Sequence, residues 1–248
     1  MSRFDRPSFR PWEEKGLKKT TGKNEKFQPR VTKGMKPFAF GFESEVYTSA
    51  LEFPERGKKM PGLVYKKFDF DTYVDPETLK IILDTVLRKW DRVKKVKKEL
   101  QGRGEPGFNI PKVVRGYYNT TETGAEAGVI MSDLREGGAK TIIDVKDLDK
   151  FKEFIRKNEW QKIKAAVLRD TEIGRKHGIN FNSPVIADAW LVARDQKTGD
   201  CEVFLSDIGG YVTVYEGGRT PEQGQAMEDS QKKIAGKLNE IERKMGYE

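Results

Sequence analysis

Apolar and polar residues along this chain follow a strand pattern first and a helix pattern next. Two stretches rich in aromatic and β-branched residues, FAFGFESEVYTSALEF and GLVYKKFDF, predict strands of a hairpin or longer meander, separated by the polar segment PERGKKMPG. A long helix is predicted after them, because apolar residues recur at three- and four-residue spacings from Leu79 to Val93. Asp75 is its predicted N-cap, and Pro76 occupies the first helical position. The distal segment of this helix, RVKKVKKELQ, is strongly cationic. It forms either a solvated helix face, which we favour, or part of a larger basic surface.

The rest of the pattern predicts further strands, then helices, then a hairpin. GRGEPG has the spacing of the dinucleotide-binding motif GxGxxG, but it follows a helix and contains Pro106, so a loop is predicted. Strands are predicted at PKVVRGYYN and AGVIMSDL, and helices at DVKDLDKFKEFIRKN and EWQKIKAAVLRDTEIGRKHG, the second ending at Gly178. The irregular passage INFNSPVIAD leads into a hairpin of AWLVARD and CEVFLS, a strand YVTVY and a helix from about Pro221. This order predicts an α+β fold.

One acidic residue, Asp207, stands where the second strand of that hairpin stops. It is followed by Ile208 and Gly209 in the stretch CEVFLSDIGGYVTVY. A carboxylate at the end of a buried strand is costly unless it accepts local hydrogen bonds or meets a cation. Asp and Gly are both turn formers, so a tight turn is one interpretation and a cation site is the other.

Size and composition exclude several classes of protein. The chain has 248 residues and 36% hydrophobic residues, enough for one large domain or two small lobes with a real core. No segment has the roughly 18 apolar residues of a membrane span, and the N-terminus has no apolar signal core. We therefore expect a soluble cytoplasmic or virus-encoded protein that is neither secreted nor membrane-bound. Cys201 and His177 are the single cysteine and histidine, which excludes a disulfide framework and a Cys/His zinc cage.

Positive charge is concentrated at the N-terminus. Residues 1–36 hold eleven Lys and Arg against four Asp and Glu, whereas the whole chain has a formal net charge of +8. This segment has no apolar periodicity, and aromatic residues are scattered among its cations. Cations neutralise phosphates and aromatics stack on bases, so the segment is either a solvated leader or an arm that binds nucleic acid or another partner.

Several short motifs, in order, resemble those of the protein-kinase-like superfamily. Ala39-x-Gly41-x-x-Ser44-x-Val46 is similar to the glycine-rich loop GxGxxGxV, with small residues replacing two glycines. Lys66, in GLVYK, falls where the family has the lysine that contacts the α- and β-phosphates of ATP.

The resemblance continues toward the C-terminus. GVIMSDLREGG looks like the fifth strand and hinge of a kinase, which implies that the backbone of Ser132, Asp133 and Leu134 meets an adenine. SDIGG resembles the DFG motif, which implies that Asp207 coordinates the magnesium ion bridging the nucleotide phosphates. The resemblance implies a two-lobed fold with ATP and Mg²⁺ as cofactors.

The chain also departs from the kinase pattern. In KHGINFNSPVIADAWLV the catalytic-loop aspartate is absent: the alternative alignments place Ile179, Asn182 or Ser183 there, and Ala189 replaces the metal-binding Asn. Asp188, the acid of this passage, is either a metal ligand, a makeshift base or a turn acid. Asp84 and Asp91, the acids spaced to pair with Lys66, lie off the apolar stripe of the long helix.

The resemblance and its departures together give a domain plan and two functions. We expect a basic flexible arm over residues 1–36, a kinase-like N-lobe over 37–134 and a reduced, mainly helical C-lobe over 135–248. The favoured hypothesis is a catalytically impaired, pseudokinase-like scaffold that docks on nucleic acid or a large protein, ribonucleoprotein or viral assembly through the arm. The alternative is an active minimal kinase that transfers the ATP γ-phosphoryl group. An α+β binding domain unrelated to kinases is a third interpretation.

Overall fold

A computed structural model describes most of the chain after residue 38. The described residues are 39–41, 44–48, 62–68, 74–112, 114–121, 124–141, 148–182, 189–195, 197–209, 212–217 and 219–247. The basic segment 1–36, Ser183 and Asp188 lie outside them, so the predictions for these residues stay predictions.

The first half of the described chain forms an antiparallel sheet of five strands in the order β1-β2-β3-β5-β4. The strands are β1 Ala39–Gly41, β2 Ser44–Thr48, β3 Leu63–Phe68, β4 Val114–Thr121 and β5 Gly124–Ser132. Lys66 pairs with Val46 on one side and with Val129 on the other, so it lies in the middle strand of the sheet. The stretch predicted upstream of PERGKKMPG therefore contains two strands paired with each other, as in a meander.

Helix α1, Pro76–Gly102, begins where the sequence predicts and packs on the sheet. Asp75 Oδ1 accepts the backbone N–H groups of Glu77 and Thr78 at 3.1 and 3.0 Å, which satisfies two of the unpaired donors of the first turn. One face of the helix is buried against strands β4 and β5. The buried residues of that face are Leu79, Leu83, Val86, Trp90, Val93, Val96 and Leu100.

The second half contains three helices and two small antiparallel sheets. The helices are α2 Leu148–Phe154, α3 Lys157–His177 and α4 Pro221–Met245. One sheet has the order β6-β8-β9, and the other pairs β7 with β10. These strands are β6 Lys140–Thr141, β7 Ile179–Phe181, β8 Trp190–Arg194, β9 Cys201–Leu205 and β10 Val212–Val214. A short 3₁₀ helix, Leu134–Gly137, connects the two halves.

The predicted α+β fold is confirmed. The helix predicted before Gly178 ends there, with Gly178 in the left-handed region at φ 73°. The passage INFNSPVIAD was predicted to be irregular, but it begins with strand β7, which is held by its pairing to β10. One cluster of buried side chains includes Val64 of β3, Trp90 of α1 and Leu205 of β9, so both halves contribute to the same core. No helix within the described residues is long and apolar enough to cross a membrane.

Candidate functional site

An ion pair joins the large sheet to the hairpin of the second half. The ammonium group of Lys66, in β3, contacts Oδ2 of Asp207, which follows β9. Both side chains are about 20% exposed, so the pair is partly shielded from water but still reachable from it. The two residues are 141 positions apart in the sequence. The structure thus brings together the lysine and the aspartate that the kinase resemblance singled out.

The Asp207 side chain also closes a tight turn. Its Oδ1 accepts the backbone N–H of Gly209 at 3.0 Å. Its own N–H, together with that of Ser206, donates to the carbonyl of Ala189 at 3.3 and 2.8 Å. Ile208, between Asp207 and Gly209, is fully buried and anchors the turn to the core. The carboxylate thus makes a turn hydrogen bond with one oxygen, as the turn interpretation predicts, and contacts the Lys66 ammonium with the other, whereas its role as a metal ligand stays a prediction.

Helix α1 provides a lysine to this turn rather than an acid. Lys89 Nζ donates to the carbonyl of Gly209 at 2.6 Å. Asp91 pairs instead with Lys94 at 3.5 Å and is 76% exposed. Among the described ion pairs, Lys66 pairs with Asp207 and not with Asp84 or Asp91. Neither of these two helix acids therefore fills the role of the kinase glutamate. The sequence did not single out Lys89. Its position next to Trp90, at the border of the apolar stripe of α1, is the signal that could have indicated a lysine directed toward the core.

The strands on either side of the turn that resembles the glycine-rich loop belong to the same sheet as Lys66. Gly41 ends β1, Ser44 begins β2 and the two residues face each other in the register of the pair. Val46, half-buried, then pairs with Lys66. Residues 42 and 43, at the tip, lie outside the described part. Ser44 therefore lies in the strand that pairs with the strand of Lys66, and Gly41 lies in the strand on the far side of Ser44.

The segment that resembles a kinase hinge is tied to the rest of the fold. Ser132 ends β5 opposite Leu63, and the N–H of Asp133 donates to the carbonyl of Gly62 at 2.7 Å. The Asp133 carboxylate caps the 3₁₀ helix by accepting the N–H of Arg135 at 2.8 Å and also pairs with the Arg135 guanidinium. Partial burial raises the pKa of Asp133, but the hydrogen bonds from Arg135 outweigh it and leave the pKa below its usual value. An adenine in this position would have to use groups other than the Asp133 N–H.

The passage that replaces the kinase catalytic loop shows no acid in its described part. Asn182, directly after β7, accepts from the amide of Asn180 and donates to the hydroxyl of Thr213. Ala189 is buried, and its methyl side chain offers no ligand atom. Asn182, a candidate for the base position, is thus bonded to the neighbouring β7–β10 pair, and the role of Asp188 stays a prediction.

A buried acid that the sequence did not single out supports the end of this passage. Asp170 of α3 is 1% exposed, and its Oδ2 accepts the indole N–H of Trp190 at 3.1 Å. Arg169 approaches Oδ1 at 3.3 Å. Burial raises the pKa of Asp170 to about 6, against the opposing effect of Arg169. Since Trp190 begins β8, this contact ties the start of that strand to helix α3.

Searches of protein-family models and of curated proteins found no match to this chain. Within the described ranges, no three His, Cys, Asp or Glu side chains are grouped so that they could hold a metal ion.

Proposed function

We propose that this protein is a kinase-like nucleotide-binding protein, impaired in phosphoryl transfer, that acts as a scaffold or binding component. The observation that carries this proposal is the ion pair of Lys66 and Asp207. A lysine on the third strand and an aspartate after the hairpin are the two phosphate-site residues that the resemblance implies. Their convergence across 141 residues supports a kinase-like, two-lobed arrangement around a nucleotide.

The topology around Asp207 supports the same assignment. Strand β7 precedes the passage that corresponds to the catalytic loop, and β10 follows Asp207. These strands pair with each other, so the two ends of the segment that contains the β8–β9 hairpin lie side by side. Asn182, the described start of the passage, therefore directly follows a strand whose partner strand comes shortly after Asp207, an order that a catalytic-loop equivalent and a DFG equivalent would require.

Impaired catalysis is proposed from the residues that replace the catalytic loop. A kinase base must accept the proton of the acceptor hydroxyl, which an Asn amide cannot do. Asn182 is already hydrogen-bonded to Asn180 and Thr213. The second candidate function, an active minimal kinase, is favoured by the retained Lys66–Asp207 pair, because positioning and charge neutralisation provide much of the catalysis of phosphoryl transfer.

Docking on nucleic acid or a large assembly is proposed for residues 1–36, with helix α1 adding a limited basic surface. Several cations of α1 point inward: Arg92 donates to the carbonyl of His177 at 2.9 Å and Lys94 to that of Val114 at 3.5 Å. Lys95 and Lys98 are exposed. The cationic end of α1 is therefore partly a set of tethers within the fold and partly a solvated face.

Thermal unfolding with and without ATP tests the nucleotide site. Ligand at about 100 times its Kd stabilises a protein by about 2.7 kcal/mol, which for a chain of this size raises Tm by roughly 5–10 °C. We expect Lys66→Met to abolish the rise, whereas Lys80→Met, an exposed lysine of α1, keeps it. Absence of any shift at millimolar nucleotide, with or without MgCl₂, would overturn nucleotide binding.

Deletion of residues 1–36 tests the docking role. Wild-type protein should bind a mixed-sequence RNA or DNA oligonucleotide with an affinity that falls as salt rises, because the cations of the arm displace counterions. The deleted protein should lose both the affinity and the salt dependence. Unchanged binding with an unchanged salt slope would exclude the arm as the docking segment.

A further inference from the structure

The solvent side of the distal half of α1 carries a strip of positive charge. Residues 88–103 hold eight Lys and Arg against two Asp and Glu. Arg88, Lys95 and Gly102 follow each other at intervals of seven residues, so they lie on one side of the helix, and all three are exposed. Lys98, three residues after Lys95, is exposed as well and lies beside it. The α1 strip consists of the cations on this side, Arg88, Lys95 and Lys98.

Other cations of the same half of α1 bond to the body of the protein. Lys89 donates to the carbonyl of Gly209 at 2.6 Å, and Arg92 donates to the carbonyl of His177 at 2.9 Å. Both carbonyls belong to the second half of the protein, so these bonds resist rotation of α1 about its own axis. The α1 strip is therefore presented to solvent by a helix that is already held in place, which lowers the ordering cost of binding a partner.

The two acids of this half of the helix are engaged with residues outside the α1 strip. Asp91 pairs with Lys94 at 3.5 Å, and Glu99 Oε2 lies 4.0 Å from Nδ1 of His177. No ion pair among the described residues involves either lysine of the α1 strip. The strip therefore presents its positive charge to solvent.

The lysines of the α1 strip do not stabilise the helix that carries them. Cations favour a helix C-terminus through the macrodipole within the last turn, and residues 99–102, the last four of α1, include no basic residue. Lys98 follows Lys95 by three residues and Lys94 by four, and like charges at these spacings destabilise a helix. A negatively charged partner would turn this repulsion into attraction.

The surroundings of the α1 strip favour a partner that is recognised by charge alone. Proteins that hold single strands stack bases on aromatic side chains, and helices that lie on membranes insert apolar ones. The single aromatic residue of α1, Trp90, is 1% exposed, and Val93 and Val96 are buried. Ile81, the exposed apolar residue of this helix, lies about 21 Å along the helix from Lys95. The regularly spaced phosphates of a duplex fit such a surface, because they require cations only.

We propose that the α1 strip binds the phosphate backbone of double-stranded nucleic acid without reading its sequence. The inference rests on the proposed docking function and names the class of nucleic acid that the folded part of the protein contacts, in addition to the arm of residues 1–36. Each lysine that contacts a phosphate releases a counterion from the duplex, so affinity falls as salt rises. Phosphate contacts carry no sequence information, so duplexes of different sequence should bind alike.

Salt titration of binding, followed by fluorescence anisotropy with the full-length protein, tests the inference. The probes are a mixed-sequence DNA duplex, an RNA duplex of the same sequence and one separated DNA strand. The double variant Lys95→Gln/Lys98→Gln should bind the duplex about tenfold or more weakly at about 0.1 M salt. The slope of log affinity against log salt should become shallower by about one for each lysine. DNA and RNA duplexes carry the same phosphates, so a loss on either supports the inference, and their comparison identifies the preferred one.

A double variant on α3 and α4, Lys162→Gln/Lys233→Gln, is the matched control. It removes the same two charges from exposed lysines, so wild-type affinity and salt slope should be kept. Thermal unfolding at low salt separates lost contacts from lost folding. Lys95→Gln/Lys98→Gln should have a Tm no lower than that of wild type, because Gln and Lys have similar helix propensities and the substitution relieves a like-charge repulsion. A lower Tm would refute the statement that these lysines do not stabilise the helix.

Several outcomes would overturn the inference. Equal losses in the double variant and its control would show that binding follows net charge and not the α1 strip. A loss as large on the single strand as on the duplex would refute the assignment to duplexes, and a strong preference for one duplex sequence would refute recognition of the backbone alone. Binding to phosphatidylserine vesicles but to neither duplex would assign the strip to a membrane surface.

The single strand separates failure of this inference from failure of the docking function. Wild-type protein that binds the single strand but neither duplex would refute the inference and leave nucleic-acid docking by the arm intact, because cations and aromatic residues of that segment can hold a single strand. Absence of binding to all three probes would overturn both the inference and docking on nucleic acid.

Discussion

Replacing the buried Asp170 with Asn should make the protein more stable at pH 8 and have little effect near pH 4. Asp170 has a pKa of about 6 in the native state, raised from its ordinary 3.8 because the side chain is buried. Below pH 4 both the folded and the unfolded chain hold this proton. Between pH 4 and 6 the unfolded chain releases it and the native state keeps it, so the free energy of unfolding falls as pH rises.

The expected gain in stability follows from the difference in the pKa of Asp170 between the folded and the unfolded state. A difference of about two pH units between the two states corresponds to about 3 kcal/mol of native stability, present near pH 4 and lost by pH 8. Asn keeps an oxygen that can accept the indole N–H of Trp190, so the hydrogen bond at 3.1 Å is retained without the ionisation. Losing the ion pair with Arg169 should change the free energy of unfolding only slightly, because the Arg169 side chain is 41% exposed.

Urea unfolding followed by tryptophan fluorescence measures this directly. Both proteins are unfolded in steps from pH 4.5 to 8, and the difference between their free energies of unfolding is taken at each pH, which cancels the titration of all other groups. The difference should grow in favour of Asp170→Asn by up to about 3 kcal/mol. A difference that stays flat across this range, or that grows in favour of wild type, would refute the argument that burial raises the pKa of Asp170.

Three further predictions concern single residues. Gly128→Ala should destabilise the protein by about 1–3 kcal/mol, because a Cβ at this position would collide with the Lys66 carbonyl. Gly236→Ala should instead stabilise it by about 0.5–1 kcal/mol, because a Cβ in the middle of α4 has open space around it; equal effects of the two substitutions in urea unfolding would contradict this. Cys201, whose pKa burial raises to about 11, should react with iodoacetamide at pH 8 roughly a hundredfold more slowly than a free thiol, and reaction at the free-thiol rate would show otherwise. Thr220→Ala should lower Tm by removing the N-cap of α4, worth about 1 kcal/mol, and an unchanged Tm would exclude that role.

The parts of the fold that could be predicted from sequence are those with local causes. Asp75 and Pro76 mark the start of α1, because an N-cap and a fixed φ act within one turn of helix. Gly178 marks the end of α3, because the left-handed conformation there favours glycine. The β8–β9 hairpin joins two mainly apolar stretches, AWLVARD and CEVFLS, through the polar turn QKTGD, all within a few residues of each other.

The parts that could not be predicted depend on residues far apart in the chain. Strand β7 has three residues, too few to show alternation, and exists through its pairing with β10. The contact of Lys89 with Gly209 spans 120 positions, and nothing in the composition of a cationic helix tells which lysine points inward. Asp170 looks like any acid on a helix until its burial and its bond to Trp190 are known. The family resemblance predicted that Lys66 and Asp207 both belong to the site, but it gave them other partners, a helix acid and a metal ion, and so did not predict their ion pair.

The pairing of β7 with β10 also has a consequence for how this chain can change over evolution. The pair brings together the two ends of the segment between these strands, and within that segment the carbonyl of Ala189 accepts the N–H groups of Ser206 and Asp207. The far end is the β8–β9 turn, where Gly199 is exposed with open space around it. Lengthening a surface turn costs little closure entropy. Insertions at Gly199 are therefore a route by which the protein could acquire a new binding element while the geometry around Asp207 stays as it is.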